Sequence, residues 1–157
     1  MKYIKFFFTI IILINLNSCG FKKINSNDKN TFRISNLELS GDKVAIYKLR
    51  NNLVMFSANN SKNLYDLKIN LVISKNSKIK NTAGITTRFN NLLIAEIEIK
   101  NIITNKLQVK KFVKSSDFNT ADNYSTTLRR EKNSLDQNIK QISEEIIKYI
   151  SLLNDSK

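Results

Sequence analysis

The chain has 157 residues, a formal charge of +13, and no histidine, tryptophan or proline. One cysteine and no histidine exclude an internal disulfide, the usual metal clusters, and Ser/His or Cys/His nucleophile pairs. With 41% hydrophobic residues the chain can still build one ordinary core, and Asn, Lys and Ile are abundant as an AT-rich genome would make them.

The first segment reads as an export signal. Lys2 and Lys5 precede a run from Phe6 to Leu16 that is apolar except for Thr9 and Asn15. A spanning helix needs about 20 apolar residues, and this run is far shorter. Leu16, Ser18 and Cys19 meet the lipoprotein pattern of an apolar residue, a small residue and then the cysteine to be lipidated; Asn17 is less typical. An ordinary signal peptide or an uncleaved anchor is the alternative, but lipidation accounts for a lone cysteine in an exported chain. The expected organisation is a signal peptide over 1–18, a lipidated tether over 19–30 and a single domain over 31–157. Gly20 rather than aspartate after the cysteine favours the outer membrane, with the domain on its periplasmic side. Export argues against nucleic acid as the partner of so basic a chain. An anionic membrane or phosphorylated lipid fits instead, and solvated surface lysines are the plain alternative.

Phe32, Ile34, Leu37 and Leu39 predict a short strand with one break in its alternation. Gly41-Asp42 then opens a helix with Ile46, Leu49, Leu53 and Phe56 on one face, widened by Val44, Tyr47 and Val54; Asn59-Asn60-Ser61 should stop it. Leu67, Ile69, Leu71 and Ile73 alternate with Lys68, Asn70, Val72 and Ser74 as a half-buried strand, and 75–82 reads as a polar connection. The next run puts Ile85, Thr87, Phe89, Leu93, Ala95, Ile97 and Ile99 on one face and Arg88, Glu96, Glu98 and Lys100 on the other. Its length suggests a bend or bulge at Asn90-Asn91.

After a turn near Thr104-Asn105, Leu107, Val109 and Val113 suggest a last strand with a bulge near Lys110. A loop over 115–124 leads to a long helix striped by Leu128, Leu135, Ile139, Ile142, Ile146, Tyr149 and Leu153. Asp136 with Lys140, and Glu144 with Lys148, are spaced as exposed i,i+4 pairs. A coiled coil is the other reading of that stripe.

The order β-α-β-β-β-α gives an α+β fold: a two-layer sandwich with a four-stranded, mostly antiparallel sheet and both helices on one face. Glu96 and Glu98 could in principle do acid–base work, although a solvated strand face suits them better. Three glycines leave little room for a phosphate-cradling loop. Binding or assembly, without catalysis, metal or cofactor, is therefore expected.

Several short motifs occur in one order: Cys19-Gly20-Phe21, Leu49-Arg50-Asn51-Asn52-Leu53, Thr87-Arg88-Phe89, Phe118-Asn119 and Tyr124-Ser125. Together with the lipidation signal, they resemble the lipopolysaccharide-assembly lipoprotein LptE family, particularly its alphaproteobacterial forms. The proline often found after Cys-Gly-Phe in that family is absent. The resemblance implies a plug inside the outer-membrane β-barrel LptD, aiding barrel assembly and placement of lipopolysaccharide in the outer leaflet. It also sets a basic position of the family on Arg129.

Arg88, Arg129 and Lys80 are the expected contacts to lipopolysaccharide or barrel, since guanidinium and ammonium groups bind phosphate. Lys78 and Arg130 lie beside them in sequence, Arg50 fits a helix–sheet contact, and Phe118 and Tyr124 could anchor a loop or pack beneath it. An auxiliary lipoprotein of a lipid-transporting ABC system is the alternative function.

Overall fold

The computed structural model describes residues 32–57 and 61–155. The signal, Cys19 and the tether lie outside the described residues, as do Asn59 and Asn60. The elements run β1 (Arg33–Gly41), α1 (Lys43–Met55), β2 (Leu64–Lys80), β3 (Thr86–Asn101), β4 (Leu107–Asn119) and α2 (Tyr124–Asp155). The sheet order is β1-β2-β3-β4, with β1 parallel to β2 and both remaining interfaces antiparallel. Both helices pack on one face of this mixed sheet, as the alternation predicts. Among the described residues, no helix is long and apolar enough to cross a membrane.

The break expected in the first strand is real: the β1–β2 register shifts between Ile34 and Asn36. At the end of β1, Gly41 has φ +121°, and a Cβ there would lie 2.2 Å from the Leu71 carbonyl oxygen. Only glycine allows both that backbone and that approach. The chain then turns into α1, where Asp42 Oδ1 accepts from Val44 N at 3.0 Å and Ala45 N at 2.9 Å. Such a cap stabilises a helix by about 1 kcal/mol. α1 buries only Ala45, Leu49 and Leu53. Val44, Tyr47 and Val54 do not widen its buried face; all three are more than half exposed. The helix packs on β1 and α2, and Val54 lines an open groove beside Arg33 to Leu37 of β1.

In β3 the odd residues from Asn91 to Asn101 are all buried, while Glu96, Glu98 and Lys100 are exposed. Asn90-Asn91 makes no bend. The β3–β4 register runs unbroken from Arg88 to Lys100, and the irregularities fall in β2, between Ser77 and Lys80. The segment read as a polar connection is strand as far as Lys80. Residues 75–80 are exposed, so no one-sided burial marks them in sequence; their backbone pairing with β3 makes the strand.

β4 is turned over relative to the sequence reading. Phe112 and Phe118 are buried, whereas Leu107, Val109 and Val113 are 49–69% exposed, and no bulge interrupts the pairing near Lys110. The helix-facing side of β4 is largely polar because α2 meets it with polar partners. Gln108 Oε1 accepts from Tyr149 Oη at 2.8 Å, and Lys114 pairs with Glu145. The strand continues through Asn119, shortening the expected loop. The preceding turn is as expected: Asn105 has φ 55°, and Asn101 Oδ1 accepts from Ile103 N and Thr104 N at 3.0 Å.

α2 extends for about 48 Å at the usual helical rise. Its apolar stripe, Ile139, Ile142, Ile146 and Ile150, is at most 2% exposed, but Leu128 is 46% exposed. Asp136 pairs with Lys48 of α1 rather than with Lys140. The observed register of β4 leads to a direct test. Phe112→Ala should cost about 3–5 kcal/mol in urea unfolding. Val109→Ala should stay within about 0.5 kcal/mol. The opposite ranking would restore the register suggested by the sequence.

Candidate functional site

The β2–β3 hairpin tip, the end of β4 and the start of α2 meet at one end of the sheet. There Asn81 holds the tip: its Oδ1 accepts from Ala83 N at 3.1 Å and Ile85 N at 2.9 Å. Thr120 N donates to the Thr87 carbonyl at 2.9 Å, tying the exit of β4 to the start of β3. Thr127 Oγ1 of α2 accepts from Ala121 N at 2.9 Å, which fixes the helix to the same corner. The three expected contact residues all belong to this end.

Arg88 lies on the helix-free face of β3, and its Nε donates to Asn119 Oδ1 at 2.8 Å. Arg130 reaches the same place from α2, donating to the carbonyls of Asn119 and Thr120 at 3.3 and 3.1 Å. The two arginines thus bracket Asn119. Lys80 ends β2 opposite Thr86, and Arg129 is exposed on the first turns of α2. Arg88 is therefore positioned by a side-chain hydrogen bond, while Lys80 and Arg129 project into solvent.

Lys78 differs from its neighbours because Asp117 neutralises it. Asp117 also accepts from Asn90 Nδ2 at 2.7 Å. The hydrogen bond from Lys78, then the one from Asn90, holds the Asp117 carboxyl below its ordinary range, with Arg88 adding a smaller attraction. An exposed pair of this kind contributes little to stability. Its effect is to remove Lys78 from the cations available to a ligand.

On the other face, the sheet meets α2 through polar groups. Lys75 Nζ bonds Glu131 at 2.6 Å and lies 4.6 Å from the centroid of Phe89, which stacks on Phe118 at 5.6 Å. Asn91 Nδ2 donates to Ser134 Oγ and to the Glu131 carbonyl, both at 3.2 Å, and Ser116 Oγ lies 2.6 Å from Ser134 Oγ. Asn138 Nδ2 donates to the Asn91 carbonyl at 3.0 Å; Asn138 Oδ1 is buried without a partner among the described residues. Sequence reasoning missed this cluster. The available signal was Asn91, a polar residue occupying an odd position in an otherwise core-facing run.

The remaining expectations divide. Phe118 packs beneath the corner and is 5% exposed, whereas Tyr124 is 75% exposed. Arg50 makes the helix–sheet contact foreseen for it, donating to the Leu37 carbonyl at 3.4 Å. Glu96 and Glu98 lie on the open strand face, where Glu96 pairs with Lys111 at 3.1 Å.

No family model and no curated protein matches the sequence. Solved structures share the fold. Rare lipoprotein B from Shewanella oneidensis matches with TM-score 0.57 and 14% identity, over 75% of this chain and 95% of that one. A putative lipoprotein from Caulobacter crescentus gives TM-score 0.53 and 12% identity, over 77% and 92%. Lipoprotein B from Nitrosomonas europaea, described as uncharacterized, gives 0.56 and 11%, over 80% and 86%. At such identities the likeness establishes the fold.

The Asp117 geometry makes a pH prediction. Pairing favours the charged carboxylate, so the folded midpoint lies below the unfolded one. Its stabilising contribution is present above the unfolded value and is lost as pH falls through the lowered midpoint. NMR titration should find the Asp117 midpoint depressed, and Lys78→Ala should raise it. A midpoint indifferent to Lys78→Ala would contradict the assigned cause.

Proposed function

We propose that the chain is an outer-membrane lipoprotein, anchored through Cys19, that acts as the plug subunit of a lipopolysaccharide translocon. In this reading it sits within an LptD-like β-barrel, assists that barrel's assembly, and helps pass lipopolysaccharide to the outer leaflet. The role is one of binding and assembly, without catalysis. The observation that carries it is the convergence of Lys80, Arg88 and Arg129 on one end of a fold shared with bacterial lipoproteins. The ordered motifs and the lipidation signal support the same reading.

The chemistry of the end suits a phosphorylated glycolipid. Arg88, held by Asn119, can present its terminal nitrogens to a phosphate, and Lys80 and Arg129 can add point and forked charges. Recovery of tagged protein from native envelopes in mild detergent should bring down a large outer-membrane barrel in near-equal amount. Recovery of ABC-transporter components, or of no discrete partner, would overturn the plug reading. The ligand side has its own test. Lys80→Ala with Arg129→Ala should weaken lipopolysaccharide binding about thirtyfold, taking roughly 1 kcal/mol for each of the two lost cation–phosphate contacts. Its thermal midpoint should stay unchanged; undiminished binding by the folded double variant would rule these residues out as the contacts.

A further inference from the structure

The basic end is also apolar. Ile85, at the hairpin tip, is 64% exposed; Tyr124 and Leu128, one turn apart on α2, are 75% and 46% exposed. Single exposed apolar residues are ordinary. Here they come from two distant segments, and Ile85 and Tyr124 line the same shallow groove. Across 78–88 and 117–132 the sequence carries six cations and three carboxylates. Two of those carboxylates, Asp117 and Glu131, are already paired with Lys78 and Lys75.

From this juxtaposition we infer that the hairpin–helix end is a membrane-contact element. Ile85, Tyr124 and Leu128 enter the interfacial layer of a bilayer, while Lys80 and Arg129 meet its anionic headgroups. An amphipathic ring with a polar tip suits the headgroup level, and basic side chains add attraction to anionic lipid. A bilayer is the occupant this end fits. The groove is open, and side chains this exposed offer no walled site for a small anion. A fluid lipid surface needs no shape complement, only apolar tips ringed by positive charge. Asp122 lines the groove as well, and its charge is outweighed by the neighbouring cations. This contact does not depend on a barrel partner, so it stands or falls separately from the plug reading.

The chain has no tryptophan, which permits a position-resolved test. Full chains carrying Tyr124→Trp, Tyr47→Trp or Ile103→Trp are mixed with phosphatidylcholine vesicles, with or without phosphatidylglycerol, containing brominated acyl chains. Tyr47 and Ile103 are 65% and 59% exposed, the first on α1 and the second in the turn at the opposite end of the sheet. Attachment through another part of the chain would not single out position 124. The expected result is a blue shift and bromine quenching at position 124, in anionic vesicles and well beyond either control. Adding Ile85→Ser, or Lys80→Ala with Arg129→Ala, should reduce the bromine quenching at position 124 severalfold. Unquenched emission at position 124, or quenching at position 47 or 103 as strong as at 124, would overturn the assignment. So would quenching at position 124 indifferent to Ile85→Ser in a chain that keeps its thermal midpoint.

Discussion

The structure depends on the alternation of one strand. In β3, Leu93, Ala95, Ile97 and Ile99 are at most 1% exposed beneath the helices, while Glu96 and Glu98 stand in solvent on the reverse side. A shift of one residue would exchange those two sets, so the face turned to the helices is strongly specified. β2 and β4 pair with this strand along nearly its whole length, and β1 joins the outside of β2. Once β3 is fixed, the position of every other strand follows, including the parts that carry no apolar pattern of their own.

The layer above the sheet is divided along its length. From Ile139 to Ile150, α2 lies on the sheet through isoleucines, and α1 adds Leu49 and Leu53 to the same core. From Glu131 to Asn138, it is joined to the sheet by Lys75, Asn91, Ser116 and Ser134 instead. A buried isoleucine truncated to alanine typically costs 2–5 kcal/mol, whereas a hydrogen bond contributes about 1 kcal/mol net. Cohesion therefore concentrates at the apolar end. The polar end gains definition from many directional contacts, and there the sheet outruns its apolar cover. Side chains at that end are free to face a partner, yet they stand on paired strands and a helix.

The legible parts of the sequence are those where burial is one-sided. Ile69 and Leu71 in β2, Leu93 to Ile99 in β3, and Ile139, Ile142 and Ile146 in α2 all give the expected period and face. From them came the element order and the placing of both helices on one side. Reading failed where the rule linking hydrophobicity to burial fails. β4 turns valines outward because α2 meets its inner side with Tyr149, Glu145 and Ser134, so Leu107, Val109 and Val113 mark the wrong face. Residues 75–80 are exposed and leave no periodic trace. Arg88, Lys80 and Arg129 could be nominated from charge and position, and all fall at one end. Their partners could not be: Asn119 between two arginines, and Asp117 on Lys78, depend on a cross-strand register that only the fold supplies.

The central claim is that this basic end is held on continuous strand rather than on a mobile loop. Amide hydrogen exchange resolved by residue tests it most directly, because protection follows pairing and local stability. The account predicts slow exchange for ladder-bonded amides of Lys75 to Lys78 and of Phe89 to Asn91. These should exchange much more slowly than the turn amides of Thr82 to Gly84. Exchange over Lys75 to Lys78 as fast as in the turn would contradict it, returning the segment to a flexible connection and removing the rigid support from the cations of the site.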